Sequence, residues 1–398
     1  MSNQLVIAGV GMVPFVRPGT CEPYDVMAER AVRKALDYAK IDYGLIDQAF
    51  ASFVYGDSCS GERALYRAGM TGIPITNVNN NCASGSSALY LARQAVLSGA
   101  AECALAVGFE EMPPGALGRV FPKHADPLER HRASVVEAMG FGAEADEIAP
   151  ALLMFGSQLM WAANELGISD DVFARIAVKA RTHAKHNPYA IFREPMTVED
   201  VLSAPTVWGR LRKLYACAPS CGAAAVIVCS PAFAKRHGLR SDVVILAHEM
   251  QSDIASDLDP PNVPDALSRA ATRRTANCAY WRAGVDPKDI DVAELHDCFV
   301  SNELISYASL GFCEESDLER FVLDGRNTYG GQVVVCPSGG LLSKGHPLGA
   351  TGLAQIVELT HQLRGEAGVR QVEGARTALQ HNGGLGSAVS VAILQRKD

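Results

Sequence analysis

Two stretches of the chain carry reactive side chains in settings that suit chemistry. Residues 79–88 read Asn-Asn-Asn-Cys-Ala-Ser-Gly-Ser-Ser-Ala and put Cys82 on a polar turn ahead of a helical pattern. Residues 338–352 read Ser-Gly-Gly-Leu-Leu-Ser-Lys-Gly-His-Pro-Leu-Gly-Ala-Thr-Gly and put His346 on a glycine-rich loop ahead of another. A helix N-terminus stabilises negative charge, so it favours thiolate over thiol. A histidine brought beside the cysteine takes the thiol proton. Covalent catalysis through a cysteine, and hence acyl transfer, is the chemistry these residues suit. The plainer reading of a free cysteine is a small buried hydrophobe, but the polar motif around Cys82 weighs against it.

A second cysteine lies in Leu-His-Asp-Cys-Phe, residues 295–299, directly after an expected strand at 291–294. Sites in α/β sheets gather at strand ends. His296 and Cys298 have the same parity along an extended chain, so both could face one cleft. The thiol of Cys298 would serve as an acid/base; the alternative for His296 is a hydrogen-bonded core side chain. Residues 380–388, Gln-His-Asn-Gly-Gly-Leu-Gly-Ser-Ala, read as a loop between two apolar strands. Bare N–H groups in such a loop could bind an oxyanion, although such a run also makes an ordinary strand turn. Lys344 reads as a solvated side chain. Cys217 and Cys221 lie four apart with no second pair or histidine cluster, so no metal site is expected. The remaining cysteines are read as structural.

The elements that must position these groups alternate. Residues 5–9 read as a strand, 24–39 as a helix, 49–55 as a strand, 83–98 as a helix and 102–108 as a strand. Such alternation implies a parallel or mixed sheet covered by helices. The pattern then recurs. Ile41-Asp42 is followed five residues on by Ile46-Asp47, and Val285-Asp286 likewise by Ile290-Asp291. A duplicated α/β unit follows, with a pocket expected between the halves. Residues 1–115 and 216–262 are assigned to the first half and 263–398 to the second. Residues 116–215 form an insertion, too apolar to remain unfolded, with helices at 149–166 and 170–187. Met139, Phe141, Met154, Phe155, Met160 and Trp161 within it would line an adaptable acyl pocket or simply form its core.

The chain has 398 residues, enough for two or three lobes, with 48% hydrophobic and 20% charged residues. A net charge of −8 argues against nucleic acid as a partner. Eleven scattered cysteines suggest a reducing, cytoplasmic compartment rather than a disulfide framework. No apolar run approaches the roughly 20 residues of a membrane span, and the terminal Gln-Arg-Lys-Asp is not a peroxisomal address.

At these motifs the chain resembles the thiolase family, in particular the sterol-carrier-protein type of 3-oxoacyl-CoA thiolase (the lipid-transfer-protein subgroup). The marks are Asn-Asn-Asn-Cys-Ala-Ser-Gly-Ser, His-Asp-Cys-Phe, Asn-Thr-Tyr-Gly-Gly, Leu-Gln-His-Asn, and the long run from Pro337 to Gln355. Gly-Met-Thr-Gly-Ile-Pro-Ile at 69–75 and Gln-Leu-Arg-Gly-Glu-Ala-Gly at 362–368 also fit. The resemblance runs nearly end to end and is weakest over 116–215. It implies a five-layered αβαβα fold of two duplicated halves plus an inserted loop domain.

By the same resemblance Cys82 is the nucleophile, His346 its activator and Cys298 the acid/base at the acetyl-CoA methyl. His296 and His346 would hold the enolate oxygen, and the Cys82 N–H with a last-loop glycine, Gly383 or Gly384, would form a second oxyanion hole. Most thiolases carry their second catalytic cysteine in that last loop; here Gln380-His381-Asn382-Gly383 stands instead, as in the sterol-carrier type. An appended sterol-carrier domain is not expected, because the chain stops soon after the last strand. The implied partners are acyl-CoA and coenzyme A as substrates, with no permanently bound cofactor, in a homodimer or tetramer. Alternatives are a steroid side-chain CoA retro-aldolase acting with a small partner protein, or a non-catalytic acyl-CoA or lipid binder.

Overall fold

In the computed structural model, which describes residues 4–114, 116, 121, 123–386 and 388–397, ten strands form one mixed sheet. The first five are β1 (Leu5–Met12), β2 (Gln48–Ser52), β3 (Ile75–Val78), β4 (Cys103–Glu110) and β5 (Gly222–Cys229). The second five are β6 (Val243–Gln251), β7 (Val292–Glu294), β8 (Val334–Val335), β9 (Thr377–Gly384) and β10 (Ala388–Arg396). Counted outward from the middle, the order is β1-β5-β4-β2-β3 on one side and β6-β10-β9-β7-β8 on the other. The pairing repeats too. β5 is antiparallel to both β1 and β4, as β10 is to β6 and β9. β2 is parallel to its neighbours, as is β7. Each position of the first half thus has its counterpart in the second.

The aspartates noticed in the sequence show why that echo is physical. Asp47 Oδ2 accepts from the N–H groups of Glu102 and Cys103, at the start of β4. Asp291 Oδ2 accepts from those of Arg376 and Thr377, at the start of β9. The same carboxylate pins the equivalent strand in both halves.

Strand parity sorts the core into layers. On β5, Ala223, Ala225 and Ile227 face one cluster and Ala224, Val226 and Val228 the other. The first cluster takes in helix α1 (Tyr24–Ala39), the second the facing helices α2 (Ser84–Leu97) and α8 (Leu348–Arg364). In the second half, α6 (Arg269–Ala283) covers the outer face of β6 and β10, while Val243, Ile245, Ala392 and Leu394 turn to the α2–α8 layer. Helix, one half of the sheet, paired helices, the other half of the sheet, helix is the expected αβαβα order. At the α2–α8 crossing a Cβ on Gly85 would come within 2.8 Å of Gly349 O, so glycine permits that approach.

Between β4 and β5 lie helices α3 (Glu129–Met139), α4 (Pro150–Glu165) and α5 (Asp170–Ala184), with a small hairpin of Thr206–Trp208 and Leu211–Arg212. Helix α7 (Val300–Ser309) follows the His-Asp-Cys segment.

Three sequence expectations change. β6 shares eight register pairs with β10 and only two with β1, so residues 243–251, assigned with the first half from sequence, pair chiefly with the second. Residues 380–384 are not loop: β9 runs to Gly384, because the glycines remain paired with Val389 and Ala388. The turn is Leu385-Gly386, with Ser387 outside the described residues. Lys344 is not solvated; it is buried, with Nζ 2.9 Å from Ser338 Oγ and 3.5 Å from Glu294.

Candidate active site

Cys82 sits two residues before α2, in a turn built by its asparagine neighbours. The Asn80 N–H donates to Ser84 Oγ and its side chain to Ser87 Oγ, so the first turn of α2 holds the loop. Asn81 takes φ 52° and reaches across to Leu385 O at 3.2 Å. Cys82 Sγ is thereby presented, partly buried, to a cavity of about 580 Å³ between the halves and the insertion.

His346 arrives from the other half. A wide turn at Gly340–Lys344 precedes it, and Gly345 at φ 117° redirects the chain. Asp297 accepts from Leu341 N–H at 2.7 Å, Glu294 accepts from Ser338, and the His346 N–H donates to Ser220 Oγ at 3.0 Å. A Cβ on Gly340 would come 1.9 Å from Asp297 Oδ2, so that turn requires glycine.

The His346 ring is set as well. Its Nδ1 lies 2.8 Å from Thr351 Oγ1, and Thr351 gives its own proton to Pro347 O. Thr351 must therefore accept from Nδ1–H, which leaves Nε2 as a bare lone pair. That buried Nε2 has no hydrogen-bond partner among the described residues. His346, His296 and Cys82 place one ring nitrogen or sulfur each within 4.8 Å of one another.

His296 follows β7, with Asn302 holding its carbonyl and Asn382 Nδ2 3.0 Å from its Nδ1. Cys298 lines the same cavity, as parity implied, while Asp297 between them points under the Gly340 turn.

Burial sets the charge states. It depresses His346 to about 3. His296 is held well below the usual range, by burial first and then by His346 and His381. Burial pushes Cys82 up to about 12, outweighing the backbone dipoles that lower it. Cys298 is pushed well above its ordinary range by burial and by the Cys217 and Cys82 thiols. Desolvation thus outweighs the helix terminus, which favours thiolate, and holds both the thiol and the imidazole toward their neutral forms.

Three contributors escaped sequence reading. Cys217 lines the cavity and donates its N–H to Cys298 O at 2.9 Å. Glu110, at the end of β4, accepts from Val54, Tyr55 and the Gly349 N–H at the start of α8; burial raises it to about 7. Gly386, rather than Gly383 or Gly384, joins Leu385 on the cavity wall. Gly383 and Gly384 line an adjoining void of about 30 Å³ beside His296, whose wall Leu385 and Gly386 share. Their adjacency to the Gly386 turn was the only signal.

The insertion supplies the apolar wall through Leu128, Ala151 and Phe155, the last stacked on Phe299 at 4.6 Å. Phe121 and His124 stack near the mouth. Of the six residues expected to tune a pocket, only Phe155 reaches it. Met154 is fully buried, Phe141 meets Trp208, and Trp161 lies under Arg269.

This is a duplicated α/β protein with a cysteine–histidine centre at the junction of its halves. Residues 5–232 match the family description "Thiolase, N-terminal domain" and residues 259–396 "Thiolase C-terminal domain-like". The chain belongs to the thiolase family, whose members are generally acyltransferases. It is 46% identical over 394 residues to sterol carrier protein 2 of Oryctolagus cuniculus, covering 98% of this chain and 71% of that one. Its fold is similar to that of a solved "Ltp2-ChsH2(DUF35) aldolase" (TM-score 0.79, 24% identity, 99% and 98% of the two chains). It is also similar to that of human mitochondrial 3-ketoacyl-CoA thiolase in complex with CoA (TM-score 0.73, 18% identity, 99% and 98%). No helix among the described residues is long and apolar enough to cross a membrane.

Proposed function

We propose that this chain is a 3-oxoacyl-CoA thiolase, cleaving its substrate with coenzyme A to a shortened acyl-CoA and acetyl- or propionyl-CoA, or running the reverse condensation. The observation that carries this reading is the convergence of Cys82, His296 and His346, with Cys298 on the same wall. Cys82 gives its proton to His346 Nε2 and attacks the 3-oxo carbon. The bond between C2 and C3 breaks, leaving an acyl group on Cys82 and an enolate whose oxygen is held by the N–H groups of His296 and His346. Cys298 protonates the enolate carbon. Coenzyme A then takes the acyl group, its thiol proton passing to Cys298 and the leaving Cys82 recovering its own from His346, while the Cys82 N–H and the Leu385-Gly386 turn stabilise the tetrahedral oxyanion. Coenzyme A is a substrate; no resident cofactor is needed for these steps.

The test is incubation with acetoacetyl-CoA and coenzyme A, followed at the enolate absorbance. Consumption that depends on coenzyme A supports the thiolase. Inertness here, with carbon–carbon cleavage of a steroid side-chain CoA thioester on adding a small partner protein, would favour the aldolase.

We further propose a homodimer, or a dimer of dimers. β3 is the sheet's edge beside exposed Tyr66 (50%) and Met70 (76%), apolar surface and unpaired backbone that a second copy would cover. Eleven free thiols fit a reducing, cytoplasmic setting.

A further inference from the structure

We infer that the tautomer of His296 is set by a relay of four buried side chains that begins at two backbone carbonyls and crosses between the halves. Gln355, on α8, donates both amide hydrogens to carbonyl oxygens, Leu295 O at 2.8 Å and His381 O at 3.3 Å. A carbonyl only accepts, so the amide of Gln355 cannot be turned over. Its Oε1 must then accept, and it does so from Gln380 Nε2 at 2.8 Å. The other hydrogen of that amide goes to Ser86 Oγ at 2.6 Å. Ser86 has one proton, and its other polar neighbour is Asn382 Oδ1 at 2.9 Å. Asn382 therefore points its NH₂ at His296 Nδ1, 3.0 Å away. Nδ1 is an acceptor, and the ring's proton resides on Nε2.

All five residues are buried, so water does not substitute for a link. The fold makes room for the chain. A Cβ on Gly352 would come 2.2 Å from Ser86 Oγ and 3.0 Å from Asn382 Oδ1. Gln380 and Asn382 share one face of β9, turned toward α2 and α8, while His381 faces Thr272 on α6. Ser86 belongs to the half that carries Cys82, so the relay ties the nucleophile's helix to the ring of the opposite half. His346 is thus a bare Nε2 and His296 an Nε2–H. One removes a proton and the other donates to developing negative charge. In this account Ser86, Gln355, Gln380 and Asn382 are positioning residues. Their use in catalysis rests on the thiolase reading; the tautomer does not.

The experiment is nitrogen-15 NMR of histidine-labelled full-length protein, with the His296 signals assigned by their loss in His296→Asn. The wild type should show Nε2 protonated and Nδ1 bare. Ser86→Ala should let the proton distribute over both nitrogens, and Asn382→Asp should place a proton on Nδ1. A wild-type ring protonated on Nδ1, or spectra unchanged by both substitutions, would overturn the inference.

A second readout uses exchange of acetyl-CoA methyl protons with deuterated water. The titratable groups facing His296 are His346, His381, Cys82 and Cys298, all uncharged near neutral pH. In Asn382→Asp the new carboxylate favours the imidazolium at low pH, which keeps Nε2–H. As pH rises through that new pKa the ring loses its Nε2 proton. Exchange should then fall by about 10²- to 10³-fold, the usual effect of losing one such donor, with no such limb in the wild type. Acylation of Cys82 by acetyl-CoA, which releases no enolate and whose oxyanion meets the Cys82 N–H and the last loop, should stay within about tenfold. If the spectra are as expected but no protein exchanges the protons, the thiolase reading fails and the relay stands.

Discussion

His296 and His346 meet edge to face, ring centroids 5.2 Å apart at 75°, each brought by a different loop of the second half to the cysteine of the first. Two imidazoles this close cannot both be charged, and burial holds both neutral. Their opposite hydrogen-bond partners, Thr351 on one and Asn382 on the other, let two identical side chains take different roles.

The His346 assignment is tested at Thr351. Thr351→Val keeps the shape but removes the acceptor for Nδ1–H, so the ring loses its preferred tautomer. Acylation of Cys82 should slow by roughly 10- to 100-fold, below the full value of a general base. Thr351→Ser should restore most of the rate. Equal rates in wild type and Thr351→Val would show that the pairing has no catalytic weight.

The pH profile follows from the burial shifts. The working form of His346 is the neutral base, and a value depressed to about 3 keeps it neutral as pH falls. The thiol of Cys82, raised to about 12, does not ionise on the alkaline side. We therefore expect kcat/KM to stay flat from about pH 8 down to about pH 5, without a histidine limb near 6.5. A bell whose acid limb centres near 6.5 and persists in Glu110→Gln would mean that His346 titrates as an exposed imidazole, since Glu110 is itself raised to about 7.

Two thiols compete for the acid/base role, since Cys217 and Cys298 both line the cavity. Cys298 follows the strand end beside His296, and we assign the role to it. Cys298→Ala should acylate at Cys82 yet lose exchange of the acetyl-CoA methyl protons by about 10²-fold or more. Cys217→Ala should keep exchange within about tenfold. The reverse pattern would move the role to Cys217.

Acyl preference should depend on Phe155 and not on the methionines. Phe155→Ala enlarges the wall opposite Phe299 and should shift the ratio of long- to short-chain turnover by about 10- to 200-fold. Met154→Ala should cost about 2–5 kcal/mol of stability, read as a lower denaturation midpoint, with that ratio unchanged. A change in chain-length preference from Met154→Ala without loss of stability would restore the methionine pocket.

Much of this was legible in the chain. Alternating apolar segments gave the layered sheet, and the repeated Ile-Asp spacing gave the duplication, because the same aspartate pins β4 and β9. Cys82, His296, Cys298 and His346 were readable because loops that present a side chain need unusual backbone, and that leaves glycine and asparagine around it. Cys217 and Glu110 were not. Glu110 ends an apolar strand and Cys217 precedes one, and only tertiary pairing brings each to the centre. Lys344 misled because lysine is usually solvated; its ionic partner Glu294 lies fifty residues away in sequence, which hides the pairing. The helix terminus ahead of Cys82 is visible in sequence, while the desolvation that outweighs it is not.

The central claim is that Cys82 carries the acyl group. Incubating the protein with acetoacetyl-CoA, quenching, and sequencing the digested peptides by mass spectrometry reads it directly. The account predicts one acetyl adduct on the peptide that bears Cys82, absent from Cys82→Ala, with turnover in that variant reduced by several orders of magnitude. A stable adduct on Cys217 or Cys298 in the wild type, or an adduct and turnover that survive Cys82→Ala, would contradict it.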